Sequence, residues 1–183
     1  MSGDAVSRPL LFLDVDGPLN PYVARSGPPG GFVTIEVPRG DDASTEPSWP
    51  RFRDRPRRVW LNPEHGRELL ALGYDLCWAT TWMSEANSII GPALGLPELP
   101  YVDFGEDVLR ERGDGIHWKS EPLLRYAGGR AFAWVDDEHS DADHVYLAAR
   151  HRGPVLLHDV DPGVGLRCED FAALKEFAAS LGR

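Results

Sequence analysis

A parallel β-sheet covered by α-helices on both faces is the α/β fold class this chain predicts, on three observations. Short apolar runs with strand character recur at 10–15, 74–79, 131–135 and 155–158, with a weaker candidate at 99–102. Stretches with apolar residues at three- and four-residue spacing fall at 63–72, 84–94, 118–126, 140–150 and 169–181, which is the helical period. Strand and helix signals therefore alternate, as they do in βαβ units. At 183 residues the chain suits one well-buried core better than two, so a single domain over 1–183 is expected.

The first run, Leu10-Leu11-Phe12-Leu13-Asp14-Val15-Asp16-Gly17, ends its apolar stretch in two carboxylates and a glycine. A run apolar at every position fits a strand buried on both faces, and open α/β sheets bind ligands at the carboxyl ends of such strands. Two acids so close repel, and leaving water is costly for both unless a cation or protons offset the charge. Magnesium takes oxygen ligands and commonly joins one or two carboxylates to a phosphate. Gly17 permits a sharp turn that brings backbone N–H groups near an anion. Asp and Gly are also ordinary turn residues, so an Asp-x-Asp-Gly taken alone equally fits a plain strand exit.

Residues 20–58 break the alternation. They are rich in Pro, Gly and charge, and carry one alternating stretch, Phe32-Val33-Thr34-Ile35-Glu36-Val37. This reads as a β-hairpin or flap that leaves directly from the Asp14/Asp16 strand end and overhangs it. Its far end, 51–58, holds five arginines against one aspartate beside Trp49, Phe52 and Trp60. Cations interleaved with aromatic faces suit a single-stranded nucleic acid, which makes Arg55, Arg57 and Arg58 candidate substrate contacts. A solvated loop anchored by its aromatics is the other reading. The net charge of −10 argues against a general nucleic-acid coat.

Two cysteines, Cys77 and Cys168, are too few for a disulfide framework or a zinc site. Met1-Ser2-Gly3-Asp4 has no basic leader region, and no stretch approaches the roughly 20 apolar residues of a membrane span. A cytoplasmic protein without membrane partners is expected.

The other runs also end in polar residues. The run at 74–79 leads into Thr80-Thr81-Trp82, offering hydroxyls and the N–H groups of a coming helix to an anion. The run at 131–135 leads into Asp136-Asp137-Glu138, and between them Lys119 opens a helix in His117-Trp118-Lys119-Ser120. An ammonium there can neutralise both a phosphate and a carboxylate. Separately, the threonines suit a helix cap, the lysine a solvated surface and the acids a helix N-terminus. His139 and His144 lie five apart on an expected helix, one more than aligns two ligands, and read as surface or cap residues. His117 is the histidine best placed to reach a pocket.

The ordered set Asp-x-Asp-Gly, strand-Thr, Lys, strand-Asp-Asp resembles the haloacid dehalogenase-like (HAD) phosphohydrolase superfamily over residues 10–157. The resemblance implies a Rossmannoid three-layer sandwich with a β-hairpin flap and a minimal cap. It implies that Asp14 is the nucleophile, Asp16 the general acid/base, Thr80 or its neighbour Thr81 the holder of the phosphoryl group, and Lys119 the stabiliser of the anionic intermediate. Asp136 and Asp137 would complete a Mg²⁺ site with Asp14 and the Asp16 backbone carbonyl, and Asp141 is a further candidate. The activity implied is Mg²⁺-dependent phosphomonoester hydrolysis through an aspartyl-phosphate. A catalytically silent phosphate- or nucleic-acid-binding module is the alternative.

The Trp78-Ala79-Thr80-Thr81-Trp82 segment is similar to HAD domains associated with RNA-repair proteins, so a small-molecule, nucleotide or polynucleotide phosphate is the expected substrate. In polynucleotide 3′-phosphatases of the superfamily an arginine commonly stands where Trp82 falls. A two-component receiver, which also gathers acids, Thr and Lys around Mg²⁺, fits the order poorly because its acid pair comes first and this chain has a second pair last.

Overall fold

The computed structural model describes residues 8–37, 58–105, 108–110 and 112–182. In chain order the elements are β1 (Leu10–Leu13), β2 (Val33–Glu36), β3 (Arg58–Leu61), α1 (Glu64–Leu70), β4 (Asp75–Trp78), α2 (Glu85–Leu94), α3 (Ser120–Ala127), β5 (Phe132–Asp136), α4 (Asp141–Arg150), β6 (Val155–Asp159) and α5 (Cys168–Ser180). Four strands form a parallel sheet in the order β4-β1-β5-β6, with β1 at its centre. The fold is therefore α/β and Rossmann-like.

Side chains alternate across a strand, and here the alternation sorts residues into two cores. Leu11, Leu13, Leu76, Trp78, Ala133 and Val135 face one way, toward Leu69 of α1, Ile90 of α2 and Leu174 of α5. Leu10, Phe12, Cys77, Phe132 and Trp134 face the other, toward Leu123 of α3 and Leu147 of α4. Each strand is apolar at consecutive positions because both faces are covered. On the first face α1 and α2 meet so closely that a Cβ on Gly66 would stand 1.7 Å from the carbonyl oxygen of Leu94.

One expectation needs revision and one gains a partner strand. Residues 99–102 form no strand and contribute only a bridge between Trp78 and Tyr101, through Trp78 N–H to the Pro100 carbonyl and Val102 N–H to the Trp78 carbonyl. Pro97 and Pro100 have no N–H to extend a ladder. The alternating stretch at 32–37 does become a strand, β2, but its antiparallel partner is β3, which the basic composition around it concealed. Val59 and Leu61 are buried while Arg58 is exposed, a two-residue period only four residues long. Arg55 and Arg57 lie outside the described residues. Among those described, no helix is long and apolar enough to cross a membrane.

Candidate functional site

Register and alternation together build the centre of the site. Phe12 pairs with Trp134, so two residues further on Asp14 and Asp136 project from neighbouring strands toward the face covered by α3 and α4. Lys119, the residue immediately before α3, reaches them from that face, with Nζ 2.5 Å from Asp14 Oδ2 and 2.7 Å from Asp136 Oδ2. All three are buried, Lys119 to 1% exposure. A cation at a helix N-terminus opposes the helix dipole, and the two carboxylates offset that.

One ammonium serves two carboxylates, and they share it unequally. Asp136 is held by four donors: Lys119 and the Trp134 indole on Oδ2, and the backbone N–H groups of Asp137 and Glu138 on Oδ1. Burial opposes its charge, but Lys119 and its hydrogen bond outweigh that and hold it below the usual carboxylate value. Among the described residues, Asp14 accepts from Val15 N–H and Lys119. Burial, incompletely offset by Lys119 and reinforced by Asp136 and Asp16, pushes it up to about 7. Burial also lifts Asp137 to about 6, helped by Asp136 and Glu138. Lys119 itself is depressed by burial but raised further by Asp136 and Asp14, leaving it firmly charged.

Ligand oxygens of Asp14, Asp136 and Asp137 lie within 4.8 Å of one another, an arrangement that could hold a cation. Gly17 belongs to this cluster sterically. Its φ is +90°, and a Cβ there would fall 2.4 Å from Asp137 Cγ, so no other residue fits. A second group, His117, Asp136 and Glu138, shares Asp136. Its histidine is engaged, with Nδ1 accepting the Lys119 N–H and Nε2 lying 3.2 Å from Glu138 Oε2. Beside it, Arg110, Arg112 and Trp118 help line a hollow of about 420 Å³, where Arg112 is paired with Asp114 and Glu121.

Asp16 stands apart from both acid groups. Its Oδ1 accepts from Asn20 Nδ2 at 2.8 Å and its Oδ2 from the Trp82 indole at 2.9 Å. Asn20 in turn accepts the Trp60 N–H, tying β3 to the loop that follows β1. Thr80 is buried, with its hydroxyl accepting the Trp82 N–H at 3.4 Å; Thr81 beside it is half-buried. Arg58 is exposed at the start of β3, and Asp141 is exposed in the first turn of α4, outside the acid cluster.

Reading the sequence missed several residues that shape this site. Asp143, fully buried, caps α4 with Ser140 and also accepts from His117 N–H and the Ser120 hydroxyl, fixing the turn that carries Lys119. It lay in an acid run that looked like a solvated helix start. His139 precedes α4 and is buried against Trp134 with Nδ1 2.8 Å from Asp159, so it is neither a surface nor a helical residue. Asn20, four residues after Asp16, had only its turn setting to mark it. Compared with known proteins, the chain matches no family model, no curated protein and no solved structure.

Proposed function

We propose that this chain is a HAD-type phosphomonoester hydrolase that works through an aspartyl-phosphate on Asp14. The observation that carries the reading is the Asp14–Lys119–Asp136 constellation at the carboxyl ends of two neighbouring parallel strands. Asp14 is the least stabilised carboxylate of that set, as suits a nucleophile. Its carboxylate oxygen bonds to phosphorus while the bond from phosphorus to the leaving oxygen breaks, and Asp16 gives its proton to that oxygen. Asp16 then takes a proton from water, whose oxygen bonds to phosphorus as the bond from phosphorus to Asp14 breaks, releasing inorganic phosphate and restoring the Asp14 carboxylate. Lys119 offsets charge on the phosphoryl oxygens, and Thr80, or Thr81 beside it, holds the group in line.

The donor set fits a hard divalent cation. Asp14, Asp136 and Asp137 offer only oxygens, and Lys119 is the one ammonium bonded to them among the described residues. Those three, with the Asp16 carbonyl, would hold Mg²⁺, which when bound neutralises phosphoryl oxygens as a Lewis acid. We read β2 and β3 as the base of a flap and minimal cap, which suits a nucleotide or the phosphorylated end of a nucleic acid. Tyr22, exposed and donating to Asp137, and Arg58 on β3 are the described residues that favour such a substrate.

The test is release of inorganic phosphate from an aryl phosphate, mononucleotides and 3′- or 5′-phosphorylated oligonucleotides, with Mg²⁺ or EDTA. Asp14→Asn is expected to lower release by at least about 10³-fold while the chain stays folded. Near-normal turnover in that variant defeats the mechanism. Phosphate binding with no release from any substrate replaces it with the silent binding module.

A further inference from the structure

Trp82 stands where the resembling phosphatases of polynucleotides commonly carry arginine, and its role emerges from where its two N–H groups go. The indole N–H donates to Asp16 Oδ2 at 2.9 Å and the backbone N–H reaches the Thr80 hydroxyl at 3.4 Å. The ring is 1% exposed and sits in the core with Leu13, Trp78 and Ile90, so the indole N–H has little freedom to point elsewhere. The turn that follows is bent hard. Met83, a non-glycine residue, has φ +47°, a left-handed conformation that persists only where its surroundings require it. On the opposite side Asn20 holds the second oxygen of Asp16. Asp16 is thus gripped from two loops, one after β1 and one after β4.

We propose that Trp82 is a positioning residue that aims the Asp16 carboxyl at the leaving-group oxygen; this rests on the phosphatase reading above. Trp82 transfers no proton. The proton that moves is that of Asp16, which passes to the leaving oxygen as the bond to phosphorus breaks. A general acid works only when held within hydrogen-bond reach of its target. Arginine would supply charge at this position, whereas an indole supplies one directed donor and a rigid body.

The consequence is a dependence on the leaving group. An alkoxide or phenolate of high basicity needs the proton, whereas 2,4-dinitrophenolate leaves without it. Trp82→Phe, which keeps the ring and removes the N–H, should lower kcat/KM for phenyl phosphate about ten- to a hundredfold, the worth of one hydrogen bond to a charged group. It should leave kcat/KM for 2,4-dinitrophenyl phosphate within about twofold. In an Asp16→Asn background the same change should add nothing. Independently of turnover, Asp16→Ala should displace the Trp82 indole N–H resonance, identified by its loss in Trp82→Phe.

Equal losses on both esters, a full additive loss in the double variant, or an indole resonance that ignores Asp16→Ala each overturn the proposal. Dinitrophenyl phosphate turnover that survives in Trp82→Phe keeps the phosphatase reading standing even then. Wild-type protein that releases no Asp14-dependent phosphate from either ester removes both.

Discussion

The two faces of the central sheet are made by the same strands and hold together by different physics. Toward α1, α2 and α5 the strands present Leu11, Leu13, Leu76, Trp78 and Val135, which pack against other apolar side chains. Burial of apolar area is the main term that stabilises such a layer, at about 25 cal/mol per Å². Toward α3 and α4 the apolar residues stop short of the strand ends, and Asp14, Lys119, Asp136 and Asp143 fill the remaining space. Those groups are dehydrated, and their stability depends on every charge meeting a partner. One face is tolerant of chemistry and strict about volume. The other is strict about charge.

Removing Lys119 should break this contrast most strongly. Lys119→Met leaves two buried carboxylates without their counter-charge, and should cost about 3–5 kcal/mol of unfolding free energy in denaturant titration. Adding Asp14→Asn and Asp136→Asn to that variant should recover much of the loss, since neither carboxylate that Lys119 paired with then remains charged. If Lys119→Met melts like the wild type, the buried constellation is not a stability determinant. On the apolar face the sensitive feature is space. Gly66→Ala places a methyl group against the Leu94 carbonyl and should cost about 1–3 kcal/mol by forcing α1 from α2, well beyond the gain in helix propensity. A neutral result would mean that the two helices can part freely.

Acidity separates the faces at smaller scale. Asp14 and Asp137 titrate near 7 and 6 in the folded chain, against 3.8 ordinarily, so the folded state keeps protons that the unfolded state has released. Their contribution to stability therefore falls as pH rises from about 4 to about 7. His65, packed beside Phe171 on the apolar face, is pushed by burial down to about 4 from 6.5, despite the opposing pull of Asp170. The unfolded chain takes up that proton first, so His65 lowers stability as pH drops from 6.5 toward 4, by about 1–3 kcal/mol. Thermal melts in EDTA should lose stability steadily from about pH 4 to about pH 7, because two carboxylates outweigh one imidazole. Saturating Mg²⁺ should raise stability most above about pH 6, and His65→Gln should steepen the fall between about pH 4 and 6.5. Mg²⁺ acting equally across the range would separate the metal from these carboxylates.

Much of the fold was legible because its signals are local. A run such as Leu10–Leu13, apolar at every position, states burial on both faces, and β1, β4, β5 and β6 lie within a residue or two of their expected bounds. The strand β3 was hidden because Arg58 belongs to a basic block and the partner of β2 is more than twenty residues away. The polar strand ends at Asp14, Thr80 and Asp136 were legible as neighbours because parallel strands finish at one edge. Their hydrogen-bond partners were not: Trp82 meets Asp16 across 66 positions, and Asp143 meets His117 across 26.

The order of elements, the acids at the strand ends and the need for a cation or protons to offset them follow from residue type and spacing, because alternation and charge repulsion act over a few positions. Which acid keeps its charge and which gives it up does not follow from spacing, since Asp14 and Asp136 look alike in the chain. That distinction arises from four donors converging on one carboxylate and two on the other. Donor count and dehydration are properties of the packed interior, and they exist only once distant segments have come together.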